Sequence, residues 1–259
     1  MEDLTKKIED LKVSDSEKTS NEPPKNNTKE ENDPTISSPI INPEILNNDK
    51  IYIIFSGSDL LWYKTKKSIE SDIKFDFLFQ KSKYIYFNKK FIKEFYKRIL
   101  KHPRCVPGFI SSMNINNCQA LIQEMYKSCG IKKEEQIKDL IYLGKKCHDM
   151  VNTKKYNPDT TTEFKRNMGN MAYCINKHFH TINEFYKMLI IESDPDKMSD
   201  STKPYSIVCP IFNEDYIIKK EIREEIDLKG ENLIQFLEKL LNNCTENINS
   251  YLKEKNFEV

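Results

Sequence analysis

Short, fully apolar runs recur along most of the chain and predict buried strands. The first is IYIIF at Ile51–Phe55, and the second is YIYF at Tyr84–Phe87. Three further runs follow at Val106–Ile110, Met188–Ile191 and Ser206–Ile211. An unbroken apolar run of this length is typical of a strand that is covered on both faces.

Segments with apolar residues at helical spacing separate these runs. One is FIKEFYKRIL at Phe91–Leu100, another begins near Asn114, and a last helix covers Glu231–Leu241. We expect two more helices at about 133–151 and 163–180. Because strands alternate with helices, the pattern predicts an α/β fold, a Rossmann-like parallel sheet with helices on both faces.

The first part of the chain differs in composition from the rest. Ser14–Pro39 is polar, contains prolines and is nearly free of apolar side chains. Such a segment buries too little apolar surface to offset the entropy that it loses on ordering. We therefore predict a disordered tail over residues 1–48 and one folded domain over residues 49–259.

Charge and cysteine content narrow the expected partners and compartment. The formal net charge is +1, from 41 basic and 40 acidic residues, which gives no electrostatic basis for a nucleic-acid partner. Seven cysteines without a CxxC spacing favour reduced thiols. We expect an intracellular protein, cytoplasmic or nuclear with mitochondria as an open alternative, and no secretory signal or membrane span.

Polar residues follow three of the predicted strands. SGSD at Ser56–Asp59 comes after the first run, SSMN at Ser111–Asn114 after the third, and ESDP at Glu192–Pro195 after the fourth. Parallel strands end at the same edge of a sheet, and the cleft of an open α/β sheet lies there. These three segments are therefore expected to meet in one cleft.

The order of these segments resembles the haloacid dehalogenase superfamily. Within it, the chain is similar to the phosphatases that act on the C-terminal domain of RNA polymerase II, also called NLI-interacting-factor-like. GFISSMNINNCQALIQEM resembles their second motif, LIIESDPDKMSD their fourth motif, and ENLIQFLEKL their last helix. The resemblance covers about residues 50–241 and implies a phosphatase-type fold whose chemistry uses Mg²⁺ and a nucleophilic aspartate.

The first motif of that family, DxDx(T/V), is not kept. Two alignments of IYIIFSGSDLLWY are open: one puts Ser56 and Ser58 at the two aspartate positions, and the other puts Phe55 and Gly57 there. Neither supplies the carboxylate that attacks phosphorus, and Asp59 reaches the cleft only if the loop shifts. The resemblance therefore implies that covalent catalysis is lost and that Mg²⁺ binding is weakened.

Other cleft positions of the family have counterparts. Ser111 matches the hydroxyl that binds a phosphoryl oxygen, although Ser111 or Asn114 could instead cap the next helix. Glu192 occupies the position of the metal-binding aspartate and is the one expected metal ligand, if there is any. Asp194 follows two residues later, and its side chain could point into the cleft or away from it. The phosphate-holding lysine corresponds to Lys177, or alternatively to Lys165.

These observations favour a catalytically inactive pseudo-phosphatase that serves as a protein-binding or scaffold module without a cofactor. We expect its partner to be a protein or a phosphopeptide. The alternative is a weak, Mg²⁺-dependent protein serine/threonine phosphatase that uses Asp59. The vestigial cleft would comprise Ser56, Ser58, Asp59, Ser111, Lys177, Glu192 and Asp194.

Overall fold

A computed structural model describes residues 49–144, 148–151, 163–171, 175, 185–209, 211–245 and 247–255. The predicted tail, residues 1–48, and Lys177 lie outside the described residues. The fold is α/β, with a five-stranded parallel sheet flanked by helices. The coarse prediction from the alternating pattern is therefore confirmed.

The strands and helices follow one another in chain order. The strands are β1 (Ile51–Ser56), β2 (Trp62–Thr65), β3 (Phe77–Gln80), β4 (Lys83–Phe87), β5 (Cys105–Ile110), β6 (Ile141–Leu143), β7 (His148–Val151), β8 (Glu163–Arg166), β9 (Met188–Glu192) and β10 (Ser206–Val208). The helices are α1 (Lys89–Glu94), α2 (Ile115–Ser128), α3 (Glu214–Ile218), α4 (Lys220–Asn243) and α5 (Ile248–Lys255). A π-helical segment, Phe95–Leu100, continues α1.

The parallel sheet has the strand order β10-β9-β1-β5-β6. In its centre, Phe55 of β1 pairs with Phe109 of β5 on one side and with Ile191 of β9 on the other. The chain adds β5 and β6 on one side of β1 and then β9 and β10 on the other side. This reversal opens a crevice beside β1 at the carboxyl ends of the strands, where open α/β sheets bind ligands.

Side chains of β1 alternate between two apolar cores, one on each face of the sheet. Ile53 and Phe55 pack in the larger core with the apolar sides of α2 and α4. Ile54 packs in the other core, together with Met168 and Met171. Each of these apolar side chains, when fully buried, contributes about 1.5–3 kcal/mol to folding. The prediction that the first strand is covered on both faces is confirmed.

The run YIYF is a strand, but the prediction that it belongs to the parallel sheet is wrong. It lies in β4, the middle strand of a separate antiparallel sheet with the order β2-β4-β3. An apolar run indicates burial but carries no information about which strands are its neighbours. The flanking strands β2 and β3 come from a segment in which no strand was predicted.

The prediction of two further helices, at about 133–151 and 163–180, is wrong in part. Of residues 133–151, the described ones form a 3₁₀ turn at Lys133–Glu135 and then β6 and β7. Residues 163–166 form β8, which pairs antiparallel with β7, whereas residues 168–171 and 175 are helical as predicted. Residues 172–174 and 176–180 lie outside the described part. Periodicity alone cannot distinguish a buried strand from a helix in a short apolar run such as IYL. Here the run forms a strand because it pairs with β5 in the parallel sheet.

The predicted last helix is confirmed and extended. Glu231–Leu241 lies within α4, which buries Leu233, Leu237 and Leu240 on one face. Gly230 brings α4 close to α1, because a Cβ atom at this position would lie 3.1 Å from the ring of Phe91. Within the described ranges, no helix has both the length and the apolar composition that crossing a bilayer requires.

Candidate functional site

A cavity of about 530 Å³ lies at the carboxyl ends of the central strands. Loops after β1, β5 and β9 form its walls, together with side chains of β2 and β8. The predicted segments after the first, third and fourth runs therefore meet, as their shared sheet edge requires. The lining residues are Ser56, Gly57, Ser58, Trp62, Lys64, Phe109, Ile110, Ser111, Ser112, Met113, Arg166, Asp194, Asp196 and Lys197.

The end of β1 presents hydroxyl groups to this cleft. Ser56 is the last residue of the strand and is buried, and Ser58, two residues further on, is half-buried. Phe55 faces the core instead and packs edge-on against Phe95 and Phe109. At the strand end, the cleft therefore contains serine side chains in place of a carboxylate.

The loop after β1 is held by backbone hydrogen bonds. Asp59 has a φ of 60°, and its N–H donates to the carbonyl oxygen of Trp62 over 2.8 Å. Its own carbonyl oxygen accepts from the N–H of Phe212 over 2.7 Å. Two neighbouring segments thus fix this turn, so a loop shift that brings Asp59 to the strand end would break both bonds.

Gly57 is required by the indole ring that covers it. A Cβ atom at this position would lie 2.2 Å from Cη2 of Trp62 and 2.8 Å from Cε2 of Phe109. Trp62 is 1% exposed and therefore has no room to withdraw. This close approach, rather than a turn conformation, explains why glycine follows Ser56.

Asp59 lies beside the cleft in a mixed electrostatic environment. Burial is the main reason that the pKa of its carboxyl group is raised above the ordinary value. The charges of Glu192 and Asp194 act in the same direction, whereas Lys197 and Lys64 oppose it. The carboxyl group of Asp59 is therefore easier to protonate than that of an exposed aspartate.

Glu192, the expected metal ligand, is engaged in a buried ion pair. Its Oε2 accepts from Nε and Nη2 of Arg166 over 3.0 and 2.8 Å, and its Oε1 accepts from the N–H of Ser193 over 3.1 Å. Glu192 is 0% exposed. Both carboxylate oxygens already have donors, so this group does not fit the role of a Mg²⁺ ligand.

Glu192 does not line the cavity, and the acidic groups that do line it supply no substitute. Asp194 accepts from the N–H of Asp196 over 3.0 Å and pairs with Lys197 over 3.4 Å. In the part of the chain that the structure describes, no three histidine, cysteine, aspartate or glutamate side chains are grouped to hold a metal ion. The residues present therefore do not fit the Mg²⁺ site that the resemblance implies.

The loop after β5 combines a cleft wall with a helix cap. Asn114 caps α2, since its side chain accepts from the N–H of Asn116 over 2.8 Å. Ser111 lines the cleft, and its hydroxyl oxygen accepts from the N–H of Met113 over 3.1 Å. Of the two residues proposed as the N-cap of this helix, Asn114 has that role, and Ser111 forms part of the cleft wall.

The cationic residues of the cleft differ from those expected. Lys177 is outside the described residues, and Lys165 is half-buried but does not line the cavity. Arg166 lines it instead, because neighbouring residues of a strand point to opposite faces. Lys64 and Lys197 also line it, and sequence reasoning missed them because neither follows an apolar run directly.

A second cavity, of about 370 Å³, lies between α1 and α4. Phe91 and Ile234 form part of its floor, and Lys90 and Asp227 form an ion pair on its rim. Its lining carries further carboxylate groups, but it includes no residue from the carboxyl ends of β1, β5 or β9. The cleft at the strand ends is therefore the stronger functional candidate.

Searches of protein-family models and of curated protein sequences found no match for this chain.

Proposed function

We propose that this protein is a pseudo-phosphatase of the haloacid dehalogenase type, which binds a partner protein through its cleft and the adjoining antiparallel sheet without hydrolysing it. The main support for an inactive cleft is the ion pair between Arg166 and Glu192, because it engages the carboxylate that a metal ion would need as a ligand. The strand order, with β1 between β5 and β9 and the cleft at the carboxyl ends, supports this kind of fold.

The groups at the end of β1 support an inactive cleft. Ser56 and Ser58 are poor nucleophiles unless a neighbouring base removes the hydroxyl proton. No histidine lines the cavity among the described residues, and His102 bonds Asn242 elsewhere in the fold. Lys64 and Lys197 are the amines in the cavity, and Lys197 is paired with Asp194. A covalent phosphoryl intermediate therefore has no activated acceptor in this arrangement.

A protein partner is supported by the surface of the small antiparallel sheet. Phe77 and Phe79 of β3 are 48% and 59% exposed, and both rings contact Tyr84. The strand β3 is paired only with β4 within the described residues. Exposed aromatic side chains on an edge strand are typical of surfaces that bind another polypeptide.

Turnover of a chromogenic phosphate ester in the presence of Mg²⁺ tests the inactive cleft. We expect the wild-type protein and the Asp59→Asn variant to match a blank without protein. Turnover by the wild type that disappears in Asp59→Asn would refute the proposal and establish the alternative phosphatase.

Co-purification tests the binding function. A partner that is recovered with the wild type should be lost with a Phe77→Ser/Phe79→Ser double variant. It should be retained with Leu228→Ser, because Leu228 is 63% exposed on α4 and lies outside the small sheet. Equal loss with both variants would contradict a docking role for β3.

One observation favours the alternative, a weak phosphatase that depends on Asp59. The pKa of Asp59 is raised by burial, and a carboxyl group with a raised pKa is better suited to protonating a leaving group than an exposed aspartate is. This property fits the acid role and not that of the nucleophile, which remains without a candidate among Ser56 and Ser58. The pseudo-phosphatase therefore has the better support.

A further inference from the structure

The second cavity, between α1 and α4, has an apolar floor. Leu60, Phe91 and Ile234 line it and are at most 7% exposed, and Leu228 at its edge is 63% exposed. Ligand pockets typically have a volume of about 300–1,000 Å³ and a mainly apolar lining. The size and the floor of the second cavity therefore fit an apolar side chain of a ligand.

A buried amide donor without an acceptor also lines the second cavity. Asn88 is 6% exposed, and its Oδ1 caps α1 by accepting from the N–H of Phe91 over 3.3 Å. This bond distinguishes the oxygen of the amide from its nitrogen. Among the described residues, no atom accepts a hydrogen bond from Nδ2 of Asn88. Buried amide groups are normally hydrogen-bonded, so Asn88 favours a ligand that brings an acceptor such as a carbonyl oxygen.

The rim of the second cavity carries more carboxylates than amines. Among the described residues, one amine and four carboxylates line it: Lys90, Glu94, Glu224, Asp227 and Glu231. Lys90 and Asp227 pair with each other over 2.7 Å. Glu224 lies 3.7 Å from Lys220, and both side chains are 68% exposed. An exposed contact of this kind is weak, so Glu224 remains open to another cation.

Arg98, which lies outside the lining, does not neutralise the other carboxylates. Its guanidinium nitrogens pair with Glu231 over 2.8 Å and with Glu238 over 2.6 Å. Glu94 is 4.0 Å away from the same guanidinium. One cation therefore faces three carboxylates, and the rim keeps a negative charge although the whole chain has a formal net charge of +1.

We propose that the second cavity docks a basic peptide segment of a partner protein that is distinct from the partner of the cleft. An apolar side chain of the segment occupies the floor, and a main-chain carbonyl oxygen accepts from Nδ2 of Asn88. Lysine or arginine side chains on either side of the apolar residue pair with Glu94 of α1 and Glu224 of α4. The second cavity shares no lining residue with the cleft or with β3, so this inference is independent of the proposed function.

The combination of these three features selects a peptide over other ligands. A polyamine has the cations but neither an apolar side chain nor a carbonyl oxygen. Nucleic acids and other phosphate-bearing ligands are repelled by the carboxylates of the rim. A segment with one large apolar residue between lysines or arginines supplies an apolar side chain, an acceptor and cations together.

Fluorescence anisotropy of a labelled peptide tests the site on the full-length protein. The probe is a heptapeptide blocked at both ends, Lys-Arg-Lys-Leu-Lys-Arg-Lys, and the control has glycine in place of leucine. We expect saturable binding that weakens as salt is added, because the pairing charges are exposed to solvent. The glycine peptide should bind about tenfold more weakly, since no apolar side chain enters the floor. Equal binding of the two peptides, or no binding of the leucine peptide, would overturn the site.

Variants locate the binding on the molecule. Asn88→Ser keeps an N-cap residue for α1 but withdraws the amide donor, so it should weaken binding by about two- to tenfold. Glu94→Gln/Glu224→Gln removes two charges from the rim and should weaken binding by about threefold or more. The matched control is Glu221→Gln/Glu225→Gln, two exposed residues of α4 outside the lining. It loses the same net charge and should change binding by less than about twofold.

The outcomes of these variants are decisive once circular dichroism shows that each is folded. Unchanged binding in Asn88→Ser or in Glu94→Gln/Glu224→Gln would refute the proposal. Equal weakening by both glutamine pairs would refute it as well, because it would reflect the net charge of the protein and not the rim. If Asn88→Ser fails to fold, the two glutamine pairs decide alone. Displacement of the leucine peptide by spermine at equal concentration would identify a polyamine site instead and overturn the peptide.

Discussion

Arg166 and Glu192 form a buried ion pair between β8 and the end of β9, with the guanidinium Nη2 2.8 Å from Oε2 of the carboxylate. Their side chains are 5% and 0% exposed. Removing one partner of such a pair leaves an uncompensated charge in a region of low dielectric constant, whereas removing both leaves none. The pair therefore constrains the fold and the chemistry of the cleft together.

Substitution of Arg166 tests this coupling. Arg166→Met should lower the free energy of unfolding by about 3–5 kcal/mol, because Glu192 remains buried without its counter-charge. Urea denaturation followed by circular dichroism measures the loss. The double variant Arg166→Met/Glu192→Met should recover most of it. A double variant that is less stable than the single one would contradict this account.

Gly57 should tolerate no side chain. In Gly57→Ala the added methyl group would overlap the indole ring of Trp62, whose nearest atom is 2.2 Å from the ideal Cβ position. We expect a loss of about 1–3 kcal/mol in the free energy of unfolding, together with an altered emission of Trp62. Gly144→Ala is the control, because no atom of the described residues beyond its chain neighbours lies within 4 Å of its Cβ position, and it should change stability by less than about 0.5 kcal/mol.

The turn between β3 and β4 stores conformational strain. Lys81 and Ser82 have φ values of 48° and 58°, a left-handed conformation that costs side-chain-bearing residues about 1 kcal/mol each. Ser82→Gly should therefore raise the melting temperature measured by scanning calorimetry. Gly130→Ala should lower it, since Gly130 has a φ of 71° and an added Cβ atom would meet no atom of the described residues within 4 Å. Shifts of the same sign would argue against a conformational cause.

Asp59 should make stability depend on pH. Its pKa is raised in the folded state, so the folded protein holds this proton more tightly than the unfolded chain does. The contribution of Asp59 to stability is therefore fully present below the unfolded value of about 3.8 and is lost as pH rises through the folded pKa. Above that range, the ionised group is a net cost.

Asp59→Asn removes this titration, and asparagine tolerates the positive φ at this position. Relative to the wild type, the variant should gain stability as pH rises from 3 to about 7, measured by urea denaturation at each pH. The exposed Asp196→Asn is a suitable control because it lines the same cleft. A difference between Asp59→Asn and wild type that stays constant with pH would contradict the raised pKa.

The sequence by itself determined the central strands of the fold. Runs such as Ile51–Phe55 and Met188–Ile191 are apolar at every position and rich in β-branched residues, which is typical of a strand that is buried on both faces. It also determined the chemistry at the end of β1, because residues 56–58 are serine, glycine and serine, and none of them has a carboxylate. These properties are local, so they can be read from neighbouring residues.

The tertiary structure decided which strands are neighbours and which charges are paired. Arg166 and Glu192 are 26 residues apart in the chain. No periodicity encodes such distances, because pairing depends on how loops return to the sheet edge. Alternation along β8 placed Arg166, and not Lys165, in the cleft, and the direction of a side chain is set only once its strand has a register and a neighbour.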